Sequence, residues 1–200
     1  MSIDSRTELS FTLEMPEWAV SALDELPEFL PTPEERMAAV IEFSRQNFLR
    51  NTGGPFAAGV FERESGRLVV IGVNRVMPHN CSSAHAEIMA LSLAQKMLNN
   101  YDLGADGMPD HELVVNWRPC AMCFGAVLWS GVRSLVIAGD GPELEEITGF
   151  DEGPVSPDWR EELNRRGISL TEDVLRDKAL EAYREFAASQ NTVYNARQGN

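Results

Sequence analysis

The chain has 200 residues, 44% of them hydrophobic, which is enough to fill one domain core without disulfide or metal staples. Its 17 Lys+Arg against 31 Asp+Glu give a net charge of −14 and a pI near 4.6, so a nucleic-acid partner is disfavoured unless a local basic patch overrides the sum. No run of about 18 apolar residues occurs, and the start MSIDSRTELSF lacks a basic segment followed by an apolar one, so no membrane span or secretory signal is expected and the cytoplasm is the expected compartment.

Residues 1–32 read as an acidic, proline-punctuated arm, with Met15, Trp18, Ala19, Ala22, Leu23 and Leu26 at helical spacing. A short amphipathic helix over about 17–26 is expected there, packed on the domain or on a second subunit. Residues 33–189 form the domain proper. It opens with a helix over 33–50 that places Met37, Val40, Ile41, Phe43 and Phe48 near one face, started by Pro33-Glu34-Glu35 and stopped by Asn51-Thr52-Gly53-Gly54. Strands Phe56–Glu62 and Leu68–Val73 follow as a hairpin around Glu64-Ser65-Gly66. Then come a helix over about 84–98, a strand Glu112–Trp117, a helix over 120–130, a buried strand Ser134–Gly139 and an acidic loop. A weak strand at 168–170, a helix over 174–188 and a polar tail, 190–200, complete the chain. The order β-β-α-β-α-β calls for an α/β fold with helices on both faces of a sheet that is mostly parallel after the first hairpin.

The informative constellation is His85-Ala86-Glu87 at one helix start and Pro119-Cys120-Ala121-Met122-Cys123 at another. A catalytic zinc takes three protein ligands of the imidazole and thiolate type and leaves a fourth position to water. His85, Cys120 and Cys123 supply three, and the positive end of a helix favours the thiolates that zinc requires. Pro119 suits the first helical turn, where its missing N–H would be unpaired. Glu87, two residues from His85, does not share its helix face, so it suits a proton carrier for the zinc-activated water rather than a ligand. His-x-Glu followed by Pro-Cys-x-x-Cys is the signature of zinc deaminases acting on nucleobases. Either half alone is weak: Cys-x-x-Cys also fits a redox pair or half of a structural zinc site. Cys81 is the candidate fourth ligand of such a structural site, although it lies in a Ser/Asn-rich loop.

With these residues the chain resembles the cytidine deaminase superfamily, and over about 33–197 its bacterial guanine deaminase branch. The resemblance is carried by GGPFAAGVFER, GVNRV, SSAHAEIMAL, RPCAMCFGAVLWSGV, GFDEG at 149–153 and YNAR near the end. It implies a three-layer α/β/α fold with a five-stranded mixed sheet, one catalytic Zn2+ per subunit, and a homodimer whose tail can swap to close the partner's site. It further implies His85, Cys120 and Cys123 as zinc ligands, Glu87 as proton shuttle and Glu152 as a second acid assisting the leaving ammonia. Asn74 matches a purine-binding asparagine, whose amide donates and accepts at once; turning the chain after the hairpin is the bland alternative. Phe56, Trp117, Phe124 and Trp129 are candidates to stack on a planar base, and Tyr194 is the candidate lid residue. The implied activity is zinc-dependent hydrolysis of guanine, a small free purine base, to xanthine and ammonia. Another base or nucleoside, a triazine, or adenosine in tRNA is the alternative substrate, and a zinc-stabilised interaction module is the non-enzyme alternative. Only two lysines and the −14 balance weigh against tRNA.

Overall fold

The structure is a computed structural model that describes residues 11–195; the first ten residues of the arm and residues 196–200 of the tail, with Ala196 and Arg197 of the YNAR segment, lie outside the described residues. Helix α1 (Glu17–Glu25) packs through Trp18 against Phe43 of helix α2 (Pro33–Leu49), ring centroids 5.6 Å apart. The start of α2 is set by a capping box, in which Glu35 N donates to Thr32 Oγ1 at 3.2 Å and Thr32 N donates to Glu35 Oε2 at 2.9 Å. No helix among the described residues is long and apolar enough to cross a membrane.

Strands β1 (Ala57–Glu62) and β2 (Leu68–Val73) form the antiparallel hairpin. β3 (His111–Val115) pairs antiparallel with the other edge of β1, and β4 (Ser134–Ile137) and β5 (Ser169–Thr171) add in parallel. The sheet order is therefore β2-β1-β3-β4-β5, a mixed five-stranded sheet. Period-two alternation divides the core. Ala57, Phe61, Ile71, Val73, Val114 and Val136 turn to the face covered by α1, α2, α6 (Glu143–Thr148) and α8 (Arg176–Ala188). Ala58, Val60, Val70, Leu113, Val115, Leu135 and Ile137 turn to the face covered by α4 (Ala86–Met97), α5 (Ala121–Ser130) and α7 (Trp159–Arg165).

Three helices depart from the expected pattern: α3 (Val76–His79), and α6 and α7 inside what reads as an acidic loop and its continuation. Each is too short to show a helical period, and α6 and α7 are held by burial of Leu144 in one case and of Trp159 and Leu163 in the other. The expected strand to Trp117 ends at Val115, because Asn116 turns its side chain to accept from Ala57 N at 3.1 Å. The last helix starts at Arg176 rather than 174, since Leu175 takes a left-handed conformation, φ 54°.

One contact fixes where α4 sits. A Cβ on Gly72 would stand 2.5 Å from Ala90 N and 2.9 Å from Ala86 O, so α4 lies directly on the β2 backbone. That close approach sets the height at which the start of α4, and with it His85, meets the end of the sheet.

Candidate active site

His85 and Cys120 are the N-cap residues of α4 and α5, both with extended backbone (ψ 157° and 172°) and neither spending its side chain on a cap hydrogen bond. Each side chain is therefore free to point beyond its helix, and the positive ends of both helices face one spot. Cys123 stands in the first turn of α5, and the ligating atoms of His85, Cys120 and Cys123 all lie within 4.8 Å of one another. The Cys120 Sγ to His85 Nδ1 separation is 3.6 Å. At a tetrahedral zinc with Zn–S of about 2.3 Å and Zn–N of about 2.0–2.1 Å that edge comes to about 3.6 Å, so the donor set fits zinc in both chemistry and spacing. Pro119, expected within the first helical turn, stands one residue before the cap, where its fixed φ leads the chain into Cys120.

The trio opens into a cavity of about 270 Å³. Its walls include Glu87, Phe56, Val115, Trp117, Arg118, Phe150, Glu152 and Tyr194. A cavity this small, mostly apolar with a few convergent polar groups, suits a planar heterocycle rather than a macromolecule.

Residues 31–139 match the cytidine and deoxycytidylate deaminase zinc-binding region. The chain belongs to that deaminase family. A guanine deaminase of Bacillus subtilis (strain 168) is 30% identical over 137 residues, 68% of this chain and 83% of that protein. A solved structure of guanine deaminase from Nitrosomonas europaea shares 49% identity, covers 92% of this chain and 100% of its own, and superposes with a TM-score of 0.86. NE0047 in complex with 2,6-diaminopurine gives 52% identity, 93% and 97% coverage and a TM-score of 0.85. The chain is thus a hydrolytic deaminase with the cytidine-deaminase-like α/β fold, similar throughout to the guanine deaminase branch.

In this deaminase the electrostatics of the pocket follow from burial and from the two sulfurs. The Cys120 thiol is drawn down to about 4, chiefly by the hydrogen bond from the Cys123 thiol and then, against burial, by His85. Cys123, donating that bond and buried, is pushed far up. Burial opposes charge on His85, but its hydrogen bond with Cys120 and the nearby Glu87 raise it overall. The trio thus shares protons that a divalent cation would displace. Burial pushes the Glu87 carboxyl up, with the Cys120 charge adding to the effect. Glu152 is pushed up to about 8 by burial, then by Cys120 and Glu87.

The loop carrying Glu152 is tied to the zinc-side helix: Ala121 N donates to Glu152 O at 3.1 Å, while Glu152 N donates to Glu145 Oε1 at 3.1 Å. Asn74 is buried behind the cavity wall. Its Oδ1 accepts from Val76 N at 3.3 Å and its Nδ2 donates to Tyr194 Oη. Phe56 and Tyr194 line the cavity, each with its centroid 5.0 Å from that of Phe150. Trp117 reaches the wall, but its ring is packed edge-on to Tyr183 at 5.7 Å and under the Arg176 guanidinium at 4.9 Å.

Two expected stacking groups stand outside the cavity lining. Phe124 meets Trp159 at 6.4 Å, and Trp129 is 86% exposed beside Tyr101 and Arg133. Helix geometry accounts for both, since at about 100° per residue neither shares the direction of Cys123. Cys81 also stands apart, its Sγ 3.3 Å from Ser83 Oγ and outside the ligand group. Sequence reasoning missed Phe150, Arg118 and Asn195, all in the cavity wall. Phe150 lies within GFDEG, Arg118 opens RPCAMCFGAVLWSGV and Asn195 lies within YNAR, so all three were within reach of the resemblance.

Proposed function

We propose that this deaminase hydrolyses guanine to xanthine and ammonia, with one zinc per subunit held by His85, Cys120 and Cys123. The observation that carries the reading is the meeting of that trio with two carboxyls, buried Glu87 and half-buried Glu152, in one small aromatic-walled cavity. Similarity along nearly the whole chain to a guanine deaminase selects the base.

Zinc held by the trio supplies Lewis acidity that makes a water nucleophilic near neutral pH. Glu87 accepts a proton from the attacking water and delivers it to the amino nitrogen, a task suited to a carboxyl whose proton affinity burial has raised. The carbon–nitrogen bond breaks, one water proton leaves on ammonia, and the other stays with the oxopurine. Glu152, reaching in from the 149–153 loop, assists the departing nitrogen. Phe56 and Phe150 offer apolar ring faces and edges to the planar base. Asn74 engages the ring edge by exchanging its hydrogen bond to Tyr194 Oη for one to the purine, so that base entry and movement of Tyr194 go together.

The cytoplasm fits a site whose two cysteines, Cys120 and Cys123, must stay reduced to serve, and a role in purine metabolism follows from the substrate. We also propose a homodimer, because α5 exposes Trp129 (86%) beside Tyr101 (85%), an apolar surface that a second copy would cover. Sedimentation should show a dimer that Trp129→Ser shifts toward monomer; a wild-type monomer would end that assignment.

The test of the activity is a panel of guanine, adenine, cytosine, their nucleosides, a triazine and tRNA, scored by ammonia release with zinc measured on the same sample. Guanine should turn over with one zinc per chain. Inert guanine beside another active substrate would transfer the reading to that substrate, and four protein ligands without ammonia release would favour an interaction module.

A further inference from the structure

The 149–153 loop has a clamp outside the zinc centre. Asn195, the last described residue of the tail, faces the loop with both ends of its amide: Nδ2 donates to Gly149 O at 2.8 Å, and Oδ1 accepts from Asp151 N at 3.0 Å. This pair brackets Phe150 and ends one residue before Glu152. The neighbouring Tyr194 packs on Phe150 at 5.0 Å, and the tail is anchored further back, where Asn191 Nδ2 donates to Phe48 O at 3.2 Å. The loop itself is irregular. It has left-handed glycines at Gly149 (φ 80°) and Gly153 (φ 71°), and Glu152 is held there through its backbone, by Ala121 and Glu145. Such a loop needs outside bonds to hold one conformation, because two flexible glycines lower the cost of leaving it.

We propose that Asn195 is a positioning residue that fixes the Glu152 carboxyl for proton delivery by clamping the loop that carries it. It touches no reacting atom; it acts by holding the loop backbone. The donor and acceptor must both be present, since Gly149 offers only a carbonyl and Asp151 only an N–H. The inference rests on the proposed role of Glu152 in deamination.

The test compares Asn195→Ala and the isosteric Asn195→Asp with wild type, using whichever base the wild-type holoenzyme turns over. Both should lower kcat roughly tenfold, the scale of one or two lost ordering hydrogen bonds, with KM changed less than about threefold and zinc content unchanged. In a Glu152→Gln background, assayed at high enzyme concentration, adding Asn195→Ala should cost less than about twofold, because residues acting as a unit are not additive. Amide exchange over 149–153 should quicken in Asn195→Ala. Full activity in Asn195→Asp, an additive cycle, or unchanged exchange would each overturn the clamp. Failure of the wild type to release ammonia from guanine would instead sink the substrate assignment, a separate result.

Discussion

The two faces of the sheet are built by different means. On the face bearing α4 and α5 the core is aliphatic, and small residues line the seam where α4 meets the sheet: Ala58, Ala86, Ala90 and Ala94 are fully buried, and Gly72 lets α4 rest on the strand backbone. On the other face the fill is aromatic, with Phe48, Phe61, Tyr183 and Phe186 buried. It also holds a buried ion pair between Arg36 and Glu112, 4% exposed on each side, in which Arg36 Nε donates to Leu30 O at 2.6 Å. Small residues fix distance closely because backbones touch and little can slide. Aromatic and ionic packing gives burial and register but tolerates more local adjustment. The zinc trio sits on the first kind of face, where the separation of two helix ends decides whether three ligands meet.

Three changes probe this contrast. The largest effect belongs to the chemistry that the α4 seam positions: Glu87→Gln should lower kcat by roughly 10³-fold, the scale of a lost general acid–base group, with zinc retained at the wild-type level. Near wild-type ammonia release would remove Glu87 from the mechanism. Next comes the opposite face, where Arg36→Met strands a buried carboxylate and should cost about 3–5 kcal/mol in urea unfolding. The same variant should keep its kcat/KM at temperatures where it stays folded; a matching loss of activity would show that the two faces are not separable. Smallest in stability, yet diagnostic for the site, is Gly72→Ala. The added methyl group forces α4 away from β2 and should cost about 1–3 kcal/mol while weakening zinc binding, measured by competition with a chelator. Loss of stability with unaltered zinc affinity would mean that α4 can shift without moving His85.

The same contrast governs what could be read without coordinates. The grouping of His85, Cys120 and Cys123 beside Glu87 was legible because it depends on local spacing at two helix starts. Phe124 and Trp129 show the limit of that reasoning: nearness in sequence to Cys123 put them under suspicion, and rotation about α5 turned them elsewhere. Helices α6 and α7 were hidden in acidic text since one or two turns carry no period, and each is stabilised by a single buried anchor or pair. Phe150 and Asn195 reach the cavity only through a loop and a tail.

By itself the sequence determined the class of fold and pointed to the group His85, Cys120 and Cys123 with Glu87 beside it, since alternation, helix starts and ligand spacing are local properties that side-chain chemistry reads directly. The sheet order, the buried Arg36–Glu112 pair, the company of Glu152 and the bonding of Asn195 to the 149–153 loop were decided by tertiary structure. The physical reason is separation along the chain. Asn74 and Tyr194 lie 120 residues apart and Asp151 and Asn195 lie 44 apart, so no local pattern encodes their meeting, and only closure of the packed core brings them together.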